Sequence, residues 1–84
     1  MDDDQLVQRV LQGDGDALAV LFQRYNPFIC RIIFHIVHNQ QDMEDIASST
    51  WEKAWKNLST LRDRSRFKSY LTTIAKREAL DHVR

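Results

Sequence analysis

The chain has 84 residues, twelve basic and twelve acidic side chains with a net charge of zero, two glycines, one proline and a single cysteine. That length supports one domain with a thin core, hiding roughly 60–65% of the surface its unfolded form exposes. A lone cysteine, Cys30, cannot staple a fold, which excludes a disulfide scaffold and points to a reducing, cytoplasmic setting.

So few glycines and prolines favour helices throughout. The N-terminus has no basic start leading into an apolar run, so no signal peptide is read there. The first helix spans about Asp4 to Gln12, with Leu6, Val7, Val10 and Leu11 as its apolar face. Gly13-Asp14-Gly15-Asp16 then reads as a stop, a turn and an N-cap. Its Asp-Gly-Asp spacing lacks the later ligands and the closing glutamate of a calcium loop.

The second segment spans about Asp16 to His38. Leu18, Leu21, Phe22, Tyr25, Ile29, Ile32, Ile33 and Ile36 follow the i, i+3, i+4, i+7 rule, and the phase survives Pro27. The pattern predicts one long helix kinked near Gln23–Pro27 and closed by Asn39 and Gln40. Its longest apolar stretch, Ile32 to Val37, is broken by His35 and is too short to span a bilayer, so no membrane insertion is expected. Cys30, His35 and His38 lie close together here, but zinc needs three or four convergent ligands. Cys30 is read as core and the histidines as capping or packing residues, with no metal or other cofactor.

In the third segment Met43, Ile46, Ala47, Thr50, Trp51, Ala54, Trp55 and Leu58 share one face over four turns. Glu44, Asp45, Ser48, Ser49, Glu52, Lys53 and Lys56 occupy the other, acids leading and lysines trailing as the helix dipole prefers. Asp42 is the expected N-cap. A loop from Asn57 to Arg66 follows, and Ser65 is expected to cap a last helix from about Arg66 to Val83. Phe67, Leu71, Ile74, Ala75 and Ala79 or Val83 form the apolar side of that helix, with Tyr70, Thr73, Lys76, Arg77 and Arg84 at or beyond its edge.

The zero net charge hides a split. Residues 1–55 hold four cations against nine acids, a net of −5; residues 56–84 hold eight cations against three acids, a net of +5. Such asymmetry points to two partners of opposite preference, or to two solvated faces of one bundle. A catalytic site needs a nucleophile, a base and a pocket, and a small helical bundle has little room for one. The Asp42/Glu44/Asp45 cluster opens a helix, where acids are expected anyway, so the chain is read as a binding domain and not an enzyme. Arg62, Arg64, Arg66, Lys68 and Lys76, interleaved with Phe67 and Tyr70, suit single-stranded or distorted nucleic acid, whose bases stack on rings. Trp51 and Trp55 are read as core because both sit on the apolar face of the third helix; Tyr70 flanks the apolar stripe and stands between the two roles.

Asp42-Met43-Glu44-Asp45-Ile46 followed by Thr50-Trp51-Glu52-Lys53-Ala54-Trp55 resembles region 2 of bacterial sigma-70-type initiation factors, and most of all the extracytoplasmic-function group. That group shows an Asp-Ala-Glu-Asp-Leu start, a Phe five residues after the Leu, and then Lys-Ala-Trp. Leu6-Val7 with Gly13-Asp14, Ala17, Leu21 and Arg24-Tyr25 looks like the family's opening; Phe67, Leu71, Ile74-Ala75, Asp81 and Arg84 look like its closing helix. The likeness covers essentially the whole chain. The departures are Ser48-Ser49 where the family has Gln-Glu, Tyr70 where it has Trp, and Arg77 where it has Asn.

The resemblance implies an all-α bundle of about four helices over residues 1–84, without the family's second helix-turn-helix domain. It implies docking on the β′ clamp coiled coil of RNA polymerase core through Asp42, Glu44, Asp45, Ser48, Ser49 and Glu52. It further implies capture of the non-template strand of the promoter −10 element, a base being flipped into the loop. The residues for this are Lys56, Asn57, Arg62, Arg64, Ser65, Arg66, Lys68, Tyr70, Thr73, Lys76, Arg77 and Arg84. An anti-sigma factor is an implied inhibitory partner. The alternative is a helical protein–protein module, an adaptor or decoy for polymerase or an anti-sigma factor, without specific DNA binding.

Overall fold

Asp2 starts the first helix. Its carboxylate accepts the Gln5 amide at 2.9 Å, and the Gln5 side chain accepts the Asp2 amide at 3.2 Å. This reciprocal cap sets α1 at Asp3–Leu11, one residue ahead of the sequence reading. The helix closes as Gly13 takes φ +93°, where a side chain is strained. The Gly13 amide then reaches the Val10 carbonyl and the Asp14 amide reaches that of Arg9. Asp14 at once caps the next helix, accepting from the amides of Asp16 and Ala17. In this computed structural model, which describes all 84 residues, α2 therefore begins at Gly15 rather than Asp16.

α2 spans Gly15–Val37 and runs unbroken through Pro27. Proline has no amide to donate, so the Gln23 carbonyl loses one bond, and packing on both sides of the gap keeps the helix going. At 1.5 Å per residue its 23 residues cover about 34 Å, which sets the 36 Å long axis of the molecule. His38, not Asn39 and Gln40, closes it: its φ of 53° is left-handed and its amide donates to the Phe34 carbonyl at 2.9 Å.

α3 spans Gln40–Lys56, and its cap is Asn39, whose side chain accepts the Asp42 amide at 2.9 Å. Asp42 thus lies in the first turn rather than at the cap. Both residues are good caps three positions apart, and His38's reversal decides where the helix begins. The polar loop contains two 3-10 turns, Leu58–Thr60 and Arg64–Arg66. Ser65 does not cap the last helix. Asp63 accepts both the Ser65 amide (3.1 Å) and the Ser65 hydroxyl (2.5 Å), so the cap belongs to the second turn. α4 spans Phe67–His82 with no side-chain cap of its own.

α2, α3 and α4 pack on one another pairwise, and α1 lies against α2 and the Arg64–Arg66 turn. The core takes Leu21, Ile29 and Ile33 from α2, Ile46, Trp51 and Ala54 from α3, and Phe67, Leu71, Ala75 and Ala79 from α4. Ala79 is the buried choice at the end of the last stripe, and Val83 is 51% exposed. Asp3 latches α1 to α2: it accepts from Arg24 at 2.8 Å and from the Tyr25 hydroxyl. Burial, reinforced by that carboxylate, pushes the Tyr25 phenol up to about 12. No helix is long and apolar enough to cross a membrane.

Polar contacts staple α3 to α4. Glu78 accepts from Lys53 at 2.8 Å and from the Ser49 hydroxyl at 2.6 Å, and His82 meets Asp42 at 3.1 Å. The bonds from Lys53 and Ser49 hold the Glu78 carboxyl below its ordinary range. A depressed folded pKa adds stability above the unfolded value that is lost as pH falls through the folded one. Glu78→Gln is expected to cost about 1 kcal/mol at pH 7. In urea titrations at a series of pH values, that gap closes as pH drops below about 4.3, the unperturbed glutamate value. Thr50 is the one fully buried polar side chain, and its hydroxyl has no hydrogen-bond partner. Thr50→Val keeps the shape and removes the orphaned oxygen, so a gain of about 1 kcal/mol in unfolding free energy is expected.

Candidate nucleic-acid interface

The arginine loop is positioned by the residue that follows it. Phe67 is fully buried, with ring centroids 5.8 Å from Tyr25 on α2, 6.0 Å from Trp55 on α3 and 6.1 Å from Tyr70 on α4. This fixes the point where the loop becomes helix. Upstream, Leu58 is buried and Asn57 closes α3, its side-chain amide donating to the Lys53 carbonyl at 3.1 Å and its own carbonyl accepting the Thr60 hydroxyl. Between these anchors Arg62, Arg64 and Arg66 are exposed, and none of them makes an ion pair. The Asp63–Ser65 bonds shape the turn, and the Ser65 hydroxyl is what chiefly keeps the Asp63 carboxyl below its usual range.

Part of the expected set converges. Arg66, Tyr70, Thr73 and Arg77 line one shallow groove along α4, together with Leu61, Ser69 and Ile74. Of the last three, the sequence reading places Ile74 on the apolar side of the helix, and Ser69 lies one turn before Thr73, a helical spacing legible in the sequence; Leu61 comes from the loop and leaves no such signal. Within the groove the Tyr70 hydroxyl donates inward to the Ala54 carbonyl at 2.8 Å, and the Thr73 hydroxyl donates to the Ser69 carbonyl at 2.9 Å. The Tyr70 hydroxyl is therefore engaged inside the protein while the residue lines the groove, and burial pushes its phenol up. Both edge and core roles fall to this half-buried residue.

Other members of the set point elsewhere. Lys68 lies over the Phe28 ring of α2, 4.6 Å from its centroid. Ser65 lines a polar cleft with Asp2, Asp3, Asp4 and Arg24, so the acidic end of α1 borders the arginine loop. Lys56, Lys76 and Arg84 are exposed outside the groove.

The acidic set divides in the same way. Glu44, Asp45, Ser48 and Glu52 are exposed on α3 and make no ion pair. Asp42 and Ser49 are instead turned to α4, on His82 and Glu78. Trp51 is core, 5% exposed, and its indole donates to the Asn26 side chain at 2.9 Å; Trp55 is half-buried against Phe67. Cys30 is half-buried beside α3, and its thiol is pushed up by burial and by the Glu44 charge.

The sequence that builds this surface has known counterparts. The family described as Sigma-70 region 2 matches residues 21–84. The RNA polymerase sigma-H factor of Pseudomonas aeruginosa is 36% identical over 81 residues, covering 96% of this chain and 42% of that protein. The ECF RNA polymerase sigma factor BldN of Streptomyces coelicolor is 31% identical over 81 residues, covering 95% and 31%. The ECF RNA polymerase sigma-E factor of Haemophilus influenzae is 30% identical over 81 residues, covering 96% and 42%. The chain thus spans less than half the length of these relatives, all of them sigma factors. No solved structure gives a match. With four helices in this order and the family matched from within α2 to the end of α4, the chain belongs to the sigma-70 region 2 family, a domain of transcription initiation factors.

Proposed function

We propose that this domain joins RNA polymerase core to promoter DNA during initiation. On this reading the exposed acids of α3, Glu44, Asp45 and Glu52, with Ser48 beside them, meet basic side chains of the β′ clamp coiled coil. The arginine loop and the α4 groove hold the non-template strand of the −10 element. Asp42 and Ser49 act one step back, by tying α3 to α4. A·T-rich steps unstack at low cost, and a surface that binds the opened strand captures that distortion without making or breaking a bond. An anti-sigma factor that covers either face would silence the domain.

The observation that carries the reading is the unpaired arginine loop beside the groove of Leu61, Tyr70 and Ile74, within a chain of this family. Cations and an apolar, ring-edged floor in one place suit a strand whose bases are exposed. The competing reading, a protein–protein module without specific DNA binding, draws on Phe22 and Phe34, which stand 40% and 42% exposed on α2, far in sequence from the loop arginines Arg62, Arg64 and Arg66.

Fluorescence titration of a −10 non-template oligonucleotide separates the two. Arg64→Ala and Arg66→Ala are each expected to weaken binding by about 1–2 kcal/mol and to lower the salt slope by about 0.7. Tyr70→Phe keeps the ring and leaves binding unchanged. Asp45→Asn spares the oligonucleotide while weakening capture of polymerase core. Capture of core with no oligonucleotide binding at low salt would instead establish the second reading.

A further inference from the structure

The first turn of α1 lies beside the arginine loop, and its three acids play different parts there. Asp2, Asp3 and Asp4 share one polar cleft with Arg24 and Ser65. Asp2 is occupied by the helix cap, accepting the Gln5 amide. Asp4 is exposed and makes no ion pair. Asp3 is held inward, its side chain only 16% exposed. One of its carboxylate oxygens accepts from Arg24 at 2.8 Å and the other accepts from the Tyr25 hydroxyl.

Both partners of Asp3 bear on the loop. The Arg24 guanidinium also donates to the Met1 carbonyl at 3.1 Å, so it grips the start of the chain at two points. Tyr25 carries its ring into the aromatic cluster, 5.8 Å from Phe67, the residue at which the loop becomes helix. The Arg64–Arg66 turn itself is exposed and is closed by Asp63, whose carboxylate accepts the Ser65 amide and whose carbonyl accepts the Arg66 amide at 3.0 Å. Apart from α4, which it runs into, its main neighbour is α1. Leu6 and Val7 bury the middle of α1, about one turn beyond the cleft. Helix ends fray unless something holds them, and Asp3 is the side chain that ties this end to α2.

We propose that Asp3 is a positioning residue of the arginine loop: through Arg24 and Tyr25 it fixes the first turn of α1 as the wall on which the Arg64–Arg66 turn rests, and so holds the loop in the shape in which it meets DNA. The inference rests on the nucleic-acid reading above and adds to it a residue of opposite charge, outside the span 21–84 that the family matches. It also reverses the sign that charge alone would give. A carboxylate beside a DNA-binding surface repels phosphate, so its loss should tighten binding. Loss of Asp3 instead loosens the loop, and ordering the loop again then counts against binding. Asp4 carries the same charge in the same cleft without the latch, and keeps only the repulsion.

The test compares Asp3→Ala with Asp4→Ala in the whole 84-residue chain, two changes that remove the same charge from neighbouring positions. NMR backbone order parameters are read for Arg64–Arg66 in the free protein, with α3 as the internal reference. The parent turn is expected near about 0.85 and Asp3→Ala near about 0.6, while Asp4→Ala and α3 keep the parent values. Tyr25→Phe removes one bond to Asp3 and keeps the ring beside Phe67, so it should fall between. Circular dichroism of each variant should match the parent; should Asp3→Ala differ, Tyr25→Phe carries the comparison. Against the −10 non-template oligonucleotide, Asp3→Ala should bind about threefold weaker and Asp4→Ala about twofold tighter. Added salt should erase the Asp4→Ala gain, which is screened, and leave the Asp3→Ala loss. Unchanged order parameters at Arg64–Arg66 in Asp3→Ala, or tighter oligonucleotide binding by that variant, overturns the positioning role. Failure of the parent chain to bind the oligonucleotide overturns the nucleic-acid reading, and the order parameters then still decide whether Asp3 positions the loop.

Discussion

Phe67 is the constraint on which the rest depends. Its ring lies among rings from α2, α3 and α4, and it is the first residue of the last helix. Burying it fixes where the arginine loop ends and which way α4 leaves. The charged residues around it have few strong ties of their own, and exposed ion pairs are worth little. The geometry of the proposed nucleic-acid surface is therefore set by apolar and aromatic packing beneath it. Trp51 and Trp55 belong to that support, with Asn26 holding the Trp51 indole in place.

The second consequence is that the two proposed binding faces share a frame. α3 presents Glu44, Asp45, Ser48 and Glu52 on one side, and through Ser49, Lys53 and Asp42 it grips α4 on the other. A force or a charge change at one face has a direct path to the other through three side-chain contacts. The acidic end of α1 adds an edge to the basic surface, because Asp2, Asp3 and Asp4 stand beside Ser65. On the proposed function, a phosphate backbone would meet repulsion there and be steered toward the α4 groove.

Much of this was legible in the sequence, and the reasons for the rest are local. The α3 stripe was readable residue by residue because six of its members are buried at helical spacing. The caps were not. Asn39 and Asp42 are both competent, as are Asp63 and Ser65, and the choice is made by backbone direction set at His38 and Phe67. Phe22 fits the apolar stripe of α2 yet is 40% exposed, because no fourth wall covers that side of the bundle. Periodicity reports which residues share a face and is silent on whether the face is wider than its cover. The splitting of the proposed polymerase set, with Asp42 and Ser49 turned inward, likewise depends on the position of α4 and leaves no trace in the spacing of α3 itself.

The central claim is that one small frame reads an opened promoter strand while bound to polymerase. The most direct measurement is the affinity of the chain for a fluorescent −10 non-template oligonucleotide against a scrambled oligonucleotide of the same composition, with and without polymerase core. The account predicts that the −10 sequence binds about tenfold tighter, a difference near 1.4 kcal/mol, and that core increases the preference. Equal affinity for both sequences in the presence of core would contradict it.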